Sequence, residues 1–242
     1  MNHFKNLFVL GKPACGKSEL LDFMTNKISS EERSKIYHIG EMKVMDDFVW
    51  LWQKFIEDNL WERLIGKRFH SKRSGNLHIV DDASLYDFMI EKLNIEAKKL
   101  LKNDGFYDEH TLLIEFARGG EKPYLPAMNR FDSEVLKSSV ILYVDVSAEE
   151  SRRRNEARYQ EKLKHSVLSH KCPDEDMERF YQSDDWAAIT GGKVDGFLKL
   201  NGVDVPFVTM NNEPESKDPV ILGPRYKKAL DLLYELYQKN TL

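Results

Sequence analysis

Cysteine is scarce: 242 residues contain only Cys15 and Cys172. Two cysteines cannot staple a small disulfide scaffold, and one of them lies in a glycine-rich turn, so a reduced, cytoplasmic protein is expected. Long apolar runs are also missing; nothing approaches the ~20 residues that cross a bilayer, so no membrane partner is expected. The first apolar stretch begins by about residue 6, which leaves no room for a signal peptide. Basic excess is absent as well: 36 Lys and Arg face 40 Asp and Glu, for a net charge of −4. A broad nucleic-acid surface is therefore not expected, although a local basic site is compatible with this balance. No internal repeat or low-complexity tract is visible, which excludes solenoids and fibrous arrays. What remains is ordinary globular composition, 41% hydrophobic and 31% charged. The length suits one α/β domain with insertions.

The stretch Gly11-Lys12-Pro13-Ala14-Cys15-Gly16-Lys17-Ser18 reads G-x-x-x-x-G-K-S, a phosphate-binding loop. Its flanks fit. Leu7-Phe8-Val9-Leu10 precedes it as a buried strand, and Ser18-Glu19-Leu20-Leu21-Asp22-Phe23-Met24 follows at helical spacing. Gly11 and Gly16 permit backbone conformations that bulkier residues resist. Loop N–H groups then converge on phosphate oxygens at the positive end of a helix. Such a motif assigns Lys17 to the β- and γ-phosphates of ATP and Ser18 to Mg²⁺. Cys15 sits beside Lys17 and these N–H groups, an environment that favours thiolate, although its main role is expected to be that of a small loop residue.

Further strands are expected at Ile36–Ile39, Leu77–Val80, Thr111–Phe116, Val140–Val144 and Val205–Met210. Helices are expected over 41–65, 84–101, 148–164 and 224–239, with Asp82 or Ser84 capping the second. The helix over 41–65 carries Met42, Met45, Phe48, Val49, Trp52, Phe55, Ile56, Leu60 and Leu64 on a wide apolar stripe, expected to be core packing. A basic stretch, Lys67 to Arg73, is expected to be solvated surface. Alternating strands and helices imply a parallel sheet with helices on both faces. In such sheets ligands bind beyond the carboxyl ends of the strands. Asp81, Glu115 and Asp145 stand at such ends, with Asp81 and Asp82 more commonly caps and Asp145 expected to orient the helix after it.

Several motifs in order resemble the P-loop nucleoside and nucleotide kinases, adenylate kinase being the nearest pattern. Besides the loop there are Ile39-Gly40-Glu41-Met42, Ile114-Glu115-Phe116-Ala117-Arg118, Val144-Asp145-Val146 with Arg154 and Arg158 beyond it, and Asn211 or Asn212 after the last strand. The matched core covers about half the chain. Where the family has an arginine soon after its acceptor-helix motif, Lys43 and Val44 stand here. The resemblance implies one P-loop kinase-type domain over 1–242, a three-layer sandwich with a parallel sheet. It also implies an acceptor-binding insert at 41–110 and a lid-like insert at 159–203.

The resemblance further implies ATP and Mg²⁺ as cofactors and a small-molecule phosphoryl acceptor as partner, with a homodimer left open. Arg154 and Arg158, one turn apart on a helix face, are expected to clamp the migrating phosphoryl group. The alternative pairs them with Glu149, Glu150 and Glu156 on an exposed helix. Glu115 is expected to polarise the acceptor hydroxyl or hold the magnesium waters, and Arg118 to contact an anionic group of the acceptor; the alternative makes Glu115 the buried partner of a core arginine. Asn211 is expected in the adenine-contacting loop. The favoured activity is transfer of the γ-phosphoryl of ATP to a nucleotide, nucleoside or similar metabolite. Alternatives are a kinase of a non-nucleotide small molecule and a nucleotide-binding regulatory NTPase. Residues 159–203 are rich in charge, including Lys162, Lys164, His165, His170, Lys171 and Arg179. They are expected to form a moving lid; a rigid subdomain held by Phe180, Tyr181 and Trp186 is the alternative.

Overall fold

The computed structural model describes residues 3–103, 105–163 and 171–241. The chain runs β1 (Asn6–Leu10), α1 (Lys17–Asp22, continued by a π-helical turn over Phe23–Lys27), α2 (Ser30–Tyr37), β2 (Glu41–Asp46) and α3 (Asp47–Ile65). A hairpin follows, β3 (Ser71–Ser74) and β4 (Leu77–Val80), then α4 (Ser84–Leu101), α5 (Phe106–Glu109) and β5 (His110–Phe116). The second half comprises α6 (Tyr124–Met128), α7 (Ser133–Leu136), β6 (Ser139–Asp145), α8 (Ala148–Leu163), α9 (Asp174–Tyr181) and α10 (Trp186–Ile189). It ends with β7 (Asp195–Leu200), β8 (Val203–Asn211) and α11 (Pro219–Thr241).

Six strands form one sheet in the order β2-β5-β1-β6-β8-β7. The first five are parallel, and β7 adds an antiparallel edge on β8. Every residue of β1 is buried, as a central strand covered on both faces requires. Alternation divides its side chains between two cores. Phe8 and Leu10 join α4, α6 and α7 on one face; Leu7 and Val9 join α1, α2 and α11 on the other. A third cluster of Leu51, Phe55, Tyr86, Met89, Met177, Phe180 and Tyr181 ties α3, α4 and α9 together beyond the sheet.

Two expectations fail around residue 40. Residues 36–39 are no strand: Ile36 and Tyr37 close α2, and His38 turns the chain with φ 57°. A capping box explains this, because Ser29 Oγ accepts from Glu32 N at 3.2 Å while Glu32 Oε2 accepts from Ser29 N at 2.9 Å. The helix expected over 41–65 then splits. Its first six residues are the edge strand β2, paired with β5, and Asp46 caps the remainder by accepting from Phe48 N at 2.8 Å. The resemblance of residues 39–42 to a helix opening therefore does not hold. Nor does most of the apolar stripe pack as expected: Val49 is 53% exposed and Leu64 72%, while Leu51 and Phe55 reach the core. Leu77–Val80 pairs only with β3, so Asp81 ends a hairpin, where Lys72 holds it at 2.5 Å, and not a strand of the main sheet. The N-cap position of α4 is Ala83, and Asp82, one residue earlier, accepts from Ser84 N at 2.8 Å.

The segment expected to form a lid is described only in part. Lys164, His165 and His170 lie outside the described residues, as does the side chain of Lys162. Residues 171–203 are docked rather than loose. Asp185 caps α6 through the N–H groups of Tyr124 and Leu125, at 2.7 and 2.9 Å. Trp186 Nε1 donates to Thr209 Oγ1 at 2.8 Å, and its ring stacks on Tyr143. β7 is part of the sheet. Phe180, Tyr181 and Trp186 are buried, and this apolar area outweighs the surrounding charge.

Asp58 holds the hairpin against α3. Fully buried, it accepts from Phe69 N, His70 N, Ser71 N and Ser71 Oγ at 2.7–3.0 Å. Burial alone would raise its pKa, but these hydrogen bonds outweigh it and hold the carboxyl below the usual range. Asp58→Ala leaves three backbone donors unpaired and should cost about 2–4 kcal/mol. Urea denaturation checks this: loss of less than about 0.5 kcal/mol would show that the hairpin is held elsewhere.

Candidate active site

The loop between β1 and α1 has the backbone its glycines suggest. Gly11 has φ 140°, Gly16 φ 112° and Ala14 φ 55°. A side chain at Gly11 would strike the carbonyl of Val144, and one at Gly16 the side chain of Asn212. The loop is braced from outside through its carbonyl oxygens. Ser151 Oγ donates to Pro13 O at 2.6 Å, and Asn212 Nδ2 to Cys15 O at 2.8 Å. Lys17 Nζ closes the loop on itself, donating to Gly11 O at 2.9 Å and Lys12 O at 3.0 Å. Gly11 N donates to the hydroxyl of buried Tyr124 at 3.0 Å, and Lys12 pairs with Asp184 at 2.7 Å. With the carbonyls engaged outward, the first N–H groups of α1 keep no intrahelical partner.

Facing the loop is an acidic cluster. Asp46 and Glu115 are register partners at the carboxyl ends of β2 and β5, and Asp47 follows at the start of α3. Burial, with Glu115 and Asp47 nearby, pushes the Asp46 carboxyl up to about 7. Burial also raises Glu115, against the opposing charge of Lys17, and raises Asp47 against Arg118. Burial would lower the Lys17 pKa, but Cys15 and the acids Glu115, Asp46 and Asp47 outweigh it, so Lys17 stays charged. A cavity of about 300 Å³ opens between loop and cluster. Lys17, Ser18, Asp46, Glu115 and Arg158 line its near end, and Trp52, Phe55, Tyr86 and Asp176 its far end. Ser18 is exposed at its mouth.

The sequence-based candidates divide. Gly11, Pro13, Ala14, Gly16, Lys17, Ser18, Glu115 and Arg158 converge on the loop and the cavity beside it. Arg118 is corrected: it is 2% exposed, donates to Asp47 Oδ2 at 2.7 Å and to Tyr86 O at 3.0 Å, and does not line the cavity. It neutralises Asp47 rather than meeting a ligand. Arg154 is likewise a brace. Its guanidinium donates to Glu150 Oε1 at 2.7 Å, Asn212 O at 2.9 Å and Cys15 O at 3.4 Å, with only 3% of the side chain exposed. Asn211 points to its own turn, accepting from Glu213 N at 2.8 Å; Asn212 is the residue that touches the loop. The thiolate expected at Cys15 is overturned, since burial pushes its thiol up despite Lys17 and the side chain is fully buried. Asp46 and Asp47 were missed. Val44-Met45 ending in two acids has the same strand-end pattern as Glu115, hidden by reading 41–65 as one helix.

No family model matches this chain, and no curated protein sequence matches it. Solved structures do. Kti12 from Chaetomium thermophilum, in complex with ADP-AlF3, is 12% identical with a TM-score of 0.50, covering 96% of this chain and 98% of its own. A sugar kinase from Janibacter sp. is 11% identical over 95% of each chain with a TM-score of 0.42. Shikimate kinase from Acinetobacter baumannii, in complex with shikimate, is 11% identical over 78% of each chain with a TM-score of 0.35. The likeness to Kti12, with the loop geometry and the strand order, gives this chain a P-loop kinase-type α/β fold.

The cluster has a consequence for stability. An acid whose folded pKa lies above its ordinary value stabilises the fold when protonated; that contribution fades as pH rises through the folded pKa. For Asp46 the window runs from its ordinary 3.8 up to about 7. The melting temperature of the unliganded protein should therefore fall by several degrees between pH 5.5 and 8, at about 2–4 °C per kcal/mol for this size. Asp46→Asn should flatten the slope, and an unchanged slope would mean that Asp46 is not charge-strained.

Proposed function

We propose that this chain is an ATP- and Mg²⁺-dependent phosphotransferase acting on a small-molecule hydroxyl. One observation carries the reading: a braced phosphate loop and a strand-end carboxylate pair line one cavity. Loop residues 11–18 bind the polyphosphate, with Lys17 moving from the loop carbonyls to the β- and γ-phosphates. Among the described residues no group of three or more ligating side chains forms a ready metal centre. Mg²⁺ is commonly held by one or two carboxylates with phosphates and waters. Ser18 and Glu115 would hold it, and it would neutralise charge on the transferred group. Asp46, pushed up to about 7, is suited to accept the acceptor's proton near neutral pH. Arg158 releases Glu19, with which it is paired, to meet the migrating phosphoryl; a planar guanidinium suits its oxygens.

On this reading α3, β3, β4 and α4 form the acceptor side. The ligands are ATP and one small acceptor, with no nucleic acid or membrane involved and a cytoplasmic setting. None of the described helices is long and apolar enough to cross a membrane. A regulatory NTPase is the second reading. It is favoured by the arginines, since Arg154 is fully engaged and Arg158 is paired in the unliganded protein.

Incubation with ATP, Mg²⁺ and a metabolite panel separates the two, because a phosphorylated acceptor is expected and slow hydrolysis alone supports the switch. Lys17→Ala should lower kcat by ~10²-fold or more while the fold melts normally. Glu115→Gln should lower kcat far more than it changes the KM for ATP. The wild-type kcat/KM, which reports the free enzyme, should rise with pH to a plateau above about 7, where Asp46 is ionised, and Asp46→Asn should remove that limb. Unchanged turnover in Lys17→Ala would sink the site.

A further inference from the structure

The far end of the cavity carries a second chemical signal. Asp176 lies in α9, is 2% exposed and lines the cavity. Its Oδ2 accepts from Val80 N at 3.2 Å. Its Oδ1 is buried with no hydrogen-bond partner, one of three such side-chain atoms among the described residues. Leaving a carboxylate oxygen buried and unpaired is costly, so a native protein that keeps one at a cavity wall has a use for it. The carboxyl is pushed up to about 6, chiefly by burial.

Trp52, Phe55 and His78 line the cavity together with Asp176. Phe55 and His78 stack with centroids 5.1 Å apart, and Trp52 meets both rings edge-on at 6.1 and 5.8 Å. Burial and the nearby Arg68 and Arg73 lower the His78 pKa, so this wall is neutral at pH 7. Cations that line the cavity are already matched. Lys171 pairs with Glu156 at 2.6 Å and Asp174 at 3.6 Å, Arg158 pairs with Glu19, and Lys17 serves the loop. Against them stand Asp46, Glu115 and Asp176, Asp47 being paired with Arg118. Beside Asp176 an acceptor's own phosphate or carboxylate would find only Lys171, already paired with Glu156, since Lys17 and Arg158 are taken by the transferred phosphoryl on the phosphotransferase reading.

We propose that Asp176 Oδ1 accepts a hydrogen bond from a hydroxyl or ammonium group of the acceptor, whose flat apolar body lies along the Trp52–Phe55–His78 wall. The acceptor is thus a neutral or cationic alcohol with a second donor, and not a phosphorylated or carboxylated compound. The assignment of the reacting hydroxyl to the loop end rests on the phosphotransferase reading; the donor site at Asp176 does not.

Calorimetric titration of the wild-type protein with matched probes tests this: adenosine beside AMP, pyridoxine beside pyridoxine 5′-phosphate, and shikimate as a carboxylated alcohol. At least one unphosphorylated probe should bind, tenfold or more tighter than its phosphorylated partner and than shikimate. Asp176→Asn should weaken that probe about tenfold or more, leave the affinity for a non-hydrolysable ATP analogue within twofold, and melt no lower than the parent. Tighter binding of AMP, pyridoxine 5′-phosphate or shikimate overturns the inference, whether or not phosphoryl transfer occurs. So does an Asp176→Asn variant that melts lower while probe binding is unchanged, because Asp176 would then be structural. Asp176-dependent binding of a probe that never becomes phosphorylated would instead count against the phosphotransferase reading and leave this site standing.

Discussion

Residues 11–18 keep their shape because their carbonyl groups are held, some from outside and some by the loop's own Lys17. A loop whose N–H groups converge must send its carbonyls the other way, and each buried carbonyl needs a donor. Here Ser151 serves Pro13, Asn212 and Arg154 serve Cys15, and Lys17 serves Gly11 and Lys12. These donors come from α8, the turn after β8 and α1, so the loop depends on elements that are far apart in sequence. The sheet order makes the arrangement feasible: β6 lies beside β1 and β8 beside β6. The carboxyl ends of these strands deliver α8 and Asn212 to the same face of the loop.

The acidic cluster depends on that frame. Asp46 and Glu115 are brought side by side by the β2–β5 register, and ionising both under burial is unfavourable. Two compensations are built in. Arg118 is committed to Asp47, and Lys17 sets its charge against Glu115. Asp46 has neither a direct ion pair nor full exposure, and it is the member of the cluster whose pKa reaches about 7. Structure that tolerates such strain at one end of a cavity and hydrogen-bonds nearly every buried group elsewhere has localised the conflict, as functional sites do.

Most of the fold was legible where a single local signal dominated. The loop, β1, β5, β6, β8, α4 and α8 follow from apolar runs and helical spacing that no competing pattern disturbs. Legibility failed where two signals overlapped. Met42 and Met45 fit a helical stripe continuous with Phe48 and Val49, so β2 vanished into α3, and with it the acids Asp46 and Asp47. The capping box at Ser29 and Glu32 was equally readable, yet four apolar or aromatic residues at 36–39 masked it. β7 could not be read from Asp195–Leu200 alone, because its strand character comes from pairing with β8, a contact local propensity does not encode. The sequence identified residues near the loop better than it identified what they touch. Arg118, Arg154 and Cys15 are all at the site's edge, but burial turned each from a candidate reactive group into a support.

The two arginines of α8 show how position and availability separate. Their four-residue spacing does set them on one face, yet one turn changes everything about their surroundings. Arg154 meets the rim of the loop, where each of its three nitrogens donates to an oxygen acceptor. Arg158 lies past that rim, with 34% of its side chain exposed and a single carboxylate partner, Glu19. That partner belongs to α1, whose N-terminus is the loop's own anion site. A polyphosphate arriving there would bring several negative oxygens within reach of a guanidinium held by only one carboxylate, in a partly exposed pair of the kind that contributes little. Arg154 fixes where α8 stands, and so leaves the reach of Arg158 as a side-chain movement alone. On the phosphotransferase reading the helix divides a structural duty and a ligand duty between two chemically identical groups, and the division is set by the number of acceptors each one meets.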